Sequence, residues 1–144
     1  MKLSPNFTLE EFTRSATAEA RGIDNTPPSS VMPSLIATAE SMEKVRVQLG
    51  NRVILLSSGY RCPLLNKAVG SKPTSQHLLG EAVDASCPSF GTPQDVYEKI
   101  RKSSVPYDQL ILETDGMVWW VHFSFGPRNR RAALSINTSR TAAG

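Results

Sequence analysis

The chain has 144 residues, 40% hydrophobic and 20% charged, a length and composition that fit one soluble domain with a real core. Its apolar runs fall far short of a membrane span, and Met1-Lys2-Leu3-Ser4-Pro5-Asn6 lacks the apolar core of a signal peptide. The formal charge is +3, with Arg128, Arg130, Arg131 and Arg140 near the end. They read as a solvated tail or as an attraction to a polyanion, and no nucleic-acid motif accompanies them.

Phe7-Thr8-Leu9-Glu10-Glu11-Phe12 has the pattern of a capping box with a hydrophobic staple, so a short helix is expected over about 9–14. Ser15 to Pro28 is small and polar and reads as an ordered loop. A long helix follows, capped by Ser29 or Ser30, striped by Val31, Leu35, Met42, Val45 and Leu49, and ended by Gly50. The stripe reads as core packing.

Asn51 to Ser58 is apolar and partly β-branched and reads as a buried strand. Ser58-Gly59-Tyr60-Arg61-Cys62-Pro63 turns the chain, and Pro63 opens a short helix through Ala68. Residues 69–74 form a surface loop. Ala82-Val83-Asp84-Ala85 reads as a strand that sends Ala82 and Asp84 to one face. Thr92-Pro93-Gln94-Asp95 starts another helix, with Val96 and Ile100 inward. Asp108 to Glu113 and Met117 to Phe125 read as two strands joined by a hairpin at Asp115-Gly116. Gly126-Pro127 closes the ordered core of about 5–130, and a loose basic tail is expected over about 131–144. Cys62 and Cys87 lack metal or disulfide-framework spacing and read as free thiols, with a bridge left open. The expected fold class is α+β, a single domain with a small antiparallel sheet packed against helices.

The chain has only two histidines, His77 and His122. His77 stands in Ser75-Gln76-His77-Leu78-Leu79-Gly80-Glu81-Ala82-Val83-Asp84, with a carboxylate seven residues on. His122 taken alone fits a satisfied core group, and a lone His-to-Asp spacing of this kind is a weak signal. Together they read as a set. Both histidines lie at strands or strand entries, a glycine allows a tight turn before Asp84, and two imidazoles with one carboxylate suit zinc. Other divalent ions fit the same donors.

Ser58-Gly59-Tyr60-Arg61, Ser75-x-His77-x-x-Gly80-x-Ala82-x-Asp84 and Trp120-Val121-His122 resemble the zinc D-Ala-D-Ala carboxypeptidase family. That family includes phage endolysins that cut L-alanyl-D-glutamate bonds and shares its fold with the hedgehog signalling domain. The N-terminal residues Phe7-Thr8-Leu9-Glu10-Glu11 and Gly22-Ile23-Asp24-Asn25 look like its small phage and bacterial members. The likeness spans roughly residues 5–127. It implies that His77, Asp84 and His122 ligate Zn2+, that Arg61 holds substrate carbonyl or carboxylate groups, and that Ser75 and Trp120 line the substrate site.

The family's usual base stands three residues before the last ligand, where this chain has Trp119. Glu113 is the preferred substitute, Asp115 the alternative and Glu81 a weaker third choice. The implied activity is a zinc metallopeptidase of D-Ala-D-Ala carboxypeptidase or L-Ala-D-Glu endopeptidase type. Its expected partner is the peptide of peptidoglycan, with no nucleic acid and no membrane insertion, and its expected state a monomer. A phage endolysin made in the cytoplasm and released onto the cell wall fits these features. A zinc-stabilised binding module without activity and a virion component that opens the wall are the other readings.

Overall fold

The computed structural model describes residues 1–138. A two-stranded ribbon opens the chain, β1 (Lys2–Ser4) and β2 (Phe7–Thr8), followed by α1 (Leu9–Thr13). Thr8 caps α1 by accepting from the Glu11 amide, and the Glu11 carboxylate accepts from the Thr8 amide, completing the capping box. Phe7 and Phe12 meet edge to face at 6.3 Å.

The stretch expected to be a loop contains a short helix, α2 (Ala16–Arg21), capped by Ser15 and ended by Gly22 at φ 64°. Only Ala18 of α2 is buried, so no apolar stripe announces it. Ser29–Val31 form a 3-10 turn that leads into α3 (Met32–Gln48), with Leu35, Ala39, Met42 and Val45 buried as the stripe predicts.

Five strands form the main sheet in the order β3-β4-β6-β5-β7, with β3 (Leu55–Ser58), β4 (Ala82–Ser86), β5 (Gln109–Thr114), β6 (Trp119–Ser124) and β7 (Ala132–Asn137). The first four are antiparallel neighbours, and β7 lies parallel to β5. The α+β class is as expected. Two strand expectations are corrected. The strand expected over Asn51 to Ser58 is confined to Leu55–Ser58 and is not buried on both faces: it lies at the sheet edge with Leu55 52% exposed and Leu56 inward, and Val53 ahead of it is 67% exposed. The expected loose tail from 131 is in fact strand β7 as far as Asn137. Arg140 and the rest of that tail lie outside the described residues.

The arginines expected to be solvated hold this return of the chain. Asp108, fully buried, accepts two guanidinium bonds from Arg130 at 2.7 and 3.0 Å and a longer one from Arg128 at 3.4 Å. Arg131 lies over the Tyr107 ring at 4.5 Å and donates to the Val105 carbonyl at 2.7 Å. Among the described residues, both cysteines are free and no helix is long and apolar enough to cross a membrane.

Strand alternation divides the sheet into two faces. Val83, Ala85, Leu110, Val121 and Phe123 belong to the main hydrophobic core with the buried residues of α3 and of α5 (Pro93–Arg101). Register aligns Ser58, Asp84, His122, Ile111 and Leu134 in one row across the five strands. Residues 59–80, including α4 (Pro63–Ala68), carry Arg61, Ser75 and His77 to that row.

Candidate metal centre

Asp84 and His122 are opposed on β4 and β6 and both point to the face away from the main core. His77 comes from a 3-10 turn, Gln76–Leu79, whose cap is the Ser75 hydroxyl accepting from the His77 amide. Gly80 ends that turn at φ 71°, and a Cβ there would stand 2.9 Å from Val31, just before α3, and 3.1 Å from Leu35 within it. Its carbonyl accepts from the buried Thr38 hydroxyl at 2.7 Å, which locks the turn to the helix.

The three side chains are buried, and one donor atom from each lies within 4.8 Å of the other two. Asp84 Oδ1 is 3.0 Å from His122 Nδ1 and 3.3 Å from His77 Nε2. Donors at ~2.0 Å from a tetrahedral ion are about 3.3 Å apart, so the separations suit zinc. His77 Nδ1 sits 2.6 Å from the Gly59 carbonyl, which can only accept, so this nitrogen carries the proton. A neutral His77 ring therefore turns a lone pair on Nε2 toward a carboxylate oxygen. That arrangement calls for a cation between them, or for a proton on the ring.

The electrostatics point the same way. Burial alone would raise the Asp84 carboxyl, but the facing His77 and His122 imidazoles more than offset it and hold the group below its ordinary range. Burial is the largest influence on His122 and opposes its charge, but the Asp84 hydrogen bond and the Asp84 and Glu113 charges together outweigh it and raise the ring's pKa. A carboxylate kept ionised against two imidazoles is a set ready for a divalent cation.

From just after β1 to the end of β6, the chain matches a family description. Residues 5–124 match peptidase M15. The chain belongs to the peptidase M15 family. M15 peptidases are zinc-dependent, and this chain's His-Asp-His cluster has the donor chemistry that dependence needs. In a comparison with curated proteins, none matches.

The other expected M15 site residues fall into three groups. Glu113 is beside the cluster, its Oε1 4.0 Å from His122 Nδ1. Burial, with the Asp84 charge added, raises its pKa. Asp115 lies in the hairpin turn, where its Oδ1 accepts from the Met117 and Val118 amides at 2.9 Å each. Glu81 accepts the Phe125 amide through its backbone carbonyl, just before β4.

Arg61 is at the cluster's edge. It donates to Ser58 Oγ at 3.1 Å and reaches Asn66 Oδ1 and Asp84 Oδ2 at 3.5 Å. Burial lowers its pKa against the pull of Asp84 and Glu113. Trp120 pairs in register with Glu113, and its indole N–H is buried.

A groove of about 520 Å³ passes His122 and Glu113. Ser75 lines it, as do Ile111 of β5 and Ile136 of β7; Arg61 and Trp120 stand outside that lining. Sequence reasoning missed much of this surface, including Lys72, Gln76 and Arg128. Gln76 sits inside the histidine motif, yet nothing local marks it as the partner of Asp108, to which it donates at 3.0 Å. The groove's second wall comes from β7, beyond the part of the chain that matches the family.

Proposed function

We propose that this M15 peptidase hydrolyses peptide bonds in the stem peptides of bacterial peptidoglycan, as an endolysin-type cell-wall hydrolase acting as a monomer after release from the cytoplasm. One observation carries the proposal: a buried His77-Asp84-His122 donor set opens beside Glu113 onto a groove large enough for a peptide segment. His77 Nε2, Asp84 and His122 Nδ1 would hold the zinc ion. When bound, the ion supplies Lewis acidity that acidifies water and polarises a carbonyl.

The chain's own residues do the rest. Glu113 takes a proton from the attacking water and passes it to the leaving amine nitrogen. Its raised pKa suits the first half of that transfer, because a weaker acid is a stronger base. Arg61, aimed by Ser58 and Asn66 and tethered to Asp84, offers planar donors to the substrate carbonyl as its oxygen gains charge. Ser75 lines the groove, and its hydroxyl holds the His77 turn in place.

Digestion of purified peptidoglycan by the zinc-loaded protein, with the new ends identified by mass spectrometry, tests this. New amino and carboxyl ends within the stem peptide are expected, and their identity names the bond. Intact peptidoglycan in the presence of bound zinc would leave a zinc-stabilised binding module instead.

A further inference from the structure

Arg61 lies between β3 and α4, in neither a helix nor a strand. Its guanidinium is held loosely, 3.1 Å from Ser58 Oγ and 3.5 Å from both Asn66 Oδ1 and Asp84 Oδ2. The two longer contacts are at the outer limit of a hydrogen bond. The direction of such a side chain is set chiefly by the backbone that carries it.

One buried side chain, Asn25, grips that backbone on both sides of Arg61. Asn25 Nδ2 donates to the Tyr60 carbonyl at 2.9 Å, and its Oδ1 accepts from the Cys62 amide at 2.8 Å. Nδ2 also donates to the Thr13 carbonyl at the end of α1, at 2.9 Å. Both amide hydrogens are thus spent, and Asn25 is only 8% exposed. The partners fix which way the amide lies, because two carbonyls can face only the NH2 group and an N–H only the oxygen. An ionised Asp of the same size has no donor for either carbonyl.

Asn25 is itself fixed by its neighbours. Gly22 ends α2 at φ 64°, the Ile23 amide donates to the Ala18 carbonyl at 2.8 Å, and Asp24 Oδ1 accepts from the Thr26 amide at 2.9 Å. The frame around Arg61 has two more bonds. The Tyr60 amide donates to the Phe12 carbonyl at 2.7 Å, and the Arg61 amide donates to the His77 carbonyl at 3.2 Å. The first ties the Arg61 segment to α1, and the second ties it to the turn that carries a zinc donor.

We propose that Asn25 is the positioning residue for Arg61: it aims the guanidinium at the substrate carbonyl and so makes the segment after α2 part of the peptidase site. The assignment rests on the reading above, in which Arg61 stabilises the charge that develops on that oxygen. It adds a residue outside both the groove lining and the zinc donor set. A misaimed donor costs most where the charge is greatest, so kcat should suffer more than KM.

A double-mutant cycle on N25A and R61A separates aiming from mere stability. Each zinc-loaded protein is titrated calorimetrically with a phosphinic peptide, whose tetrahedral anionic group imitates the charged intermediate, and kcat and KM are measured with the parent peptide. N25A is expected to lower phosphinate affinity and kcat by about tenfold to a hundredfold, with KM within about threefold. In the R61A background the same change should cost less than about threefold, because the group it aims is gone. Equal losses with and without Arg61 overturn the assignment, as does an N25A protein with native affinity and kcat. N25D, still able to accept from the Cys62 amide but unable to donate to the two carbonyls, takes the place of N25A should that variant not fold. Loss of the fold in both, read by circular dichroism and zinc stoichiometry, makes Asn25 a residue of the fold and overturns the assignment too. Failure of the peptidase reading looks different: the wild type cuts no peptide, while the phosphinate cycle still decides whether Asn25 acts through Arg61.

Discussion

Glu113 and Asp115 stand two residues apart at one hairpin, and their hydrogen bonds separate their roles. Asp115 spends Oδ1 on two turn amides, while Glu113 lies 4.0 Å from His122 with burial raising its pKa. Glu113→Gln should therefore cost about 10²–10⁴ in kcat/KM with zinc affinity nearly unchanged, whereas Asp115→Asn should stay within a few-fold. Parallel kinetics on the two variants check this, and equal losses would remove Glu113 as the base. Gly59 offers a second test at this scale. A Cβ on it would stand 2.5 Å from the Phe12 carbonyl, so the backbone must move, and with it the oxygen that orients His77. Gly59→Ala should cost about 1–3 kcal/mol and weaken zinc binding about tenfold or more, as read by denaturation and metal titration. An alanine variant with native zinc affinity would show that the Gly59 carbonyl does not set the ring.

Elements were legible in the sequence where their signals are local. The capping box at Thr8, the helix start at Thr92-Pro93, the stripe of α3 and the Asp115-Gly116 hairpin are each written within a few residues. The ligands share this property, because one turn and one strand place His77 and Asp84, and register with β6 adds His122. The groove walls do not share it. Ala132-Ala133-Leu134-Ser135-Ile136-Asn137 has little alternation and becomes a strand only because β5 offers it an edge. The Asp108–Gln76–Arg128 contacts join segments 20 and 32 residues apart, beyond the reach of any short pattern. Strand β7 accordingly gives a test of how far the groove depends on long-range pairing. Ending the chain after Arg131 removes Ile136 and Thr138 from the wall and should raise KM several-fold while zinc stoichiometry stays at one. An unchanged KM would show that β7 only covers the edge of β5.

For the molecule as a whole, the closing contact is Asp108 with Arg130. The guanidinium bonds of Arg130 come first, then its amide and Gln76, and together they outweigh burial and hold the Asp108 carboxyl at about 2. An unfolded aspartate titrates near ~3.9. The folded value is the lower one, so the contact's stabilisation is fully present above about pH 4 and is lost as pH falls through about 2. Both arginines are partly exposed, Arg130 42% and Arg128 59%, so solvent screens the pair and the pH-dependent part should be about 1–2 kcal/mol. Asp108→Asn keeps the shape and several of the hydrogen bonds but has no charge to titrate. Urea unfolding between pH 5 and 2 should show wild type losing that increment while the variant loses correspondingly less over the same interval. Equal acid slopes for the two proteins would mean that the chain's return past Asp108 is held by packing, through Arg131 on Tyr107 and the pairing of β7 with β5.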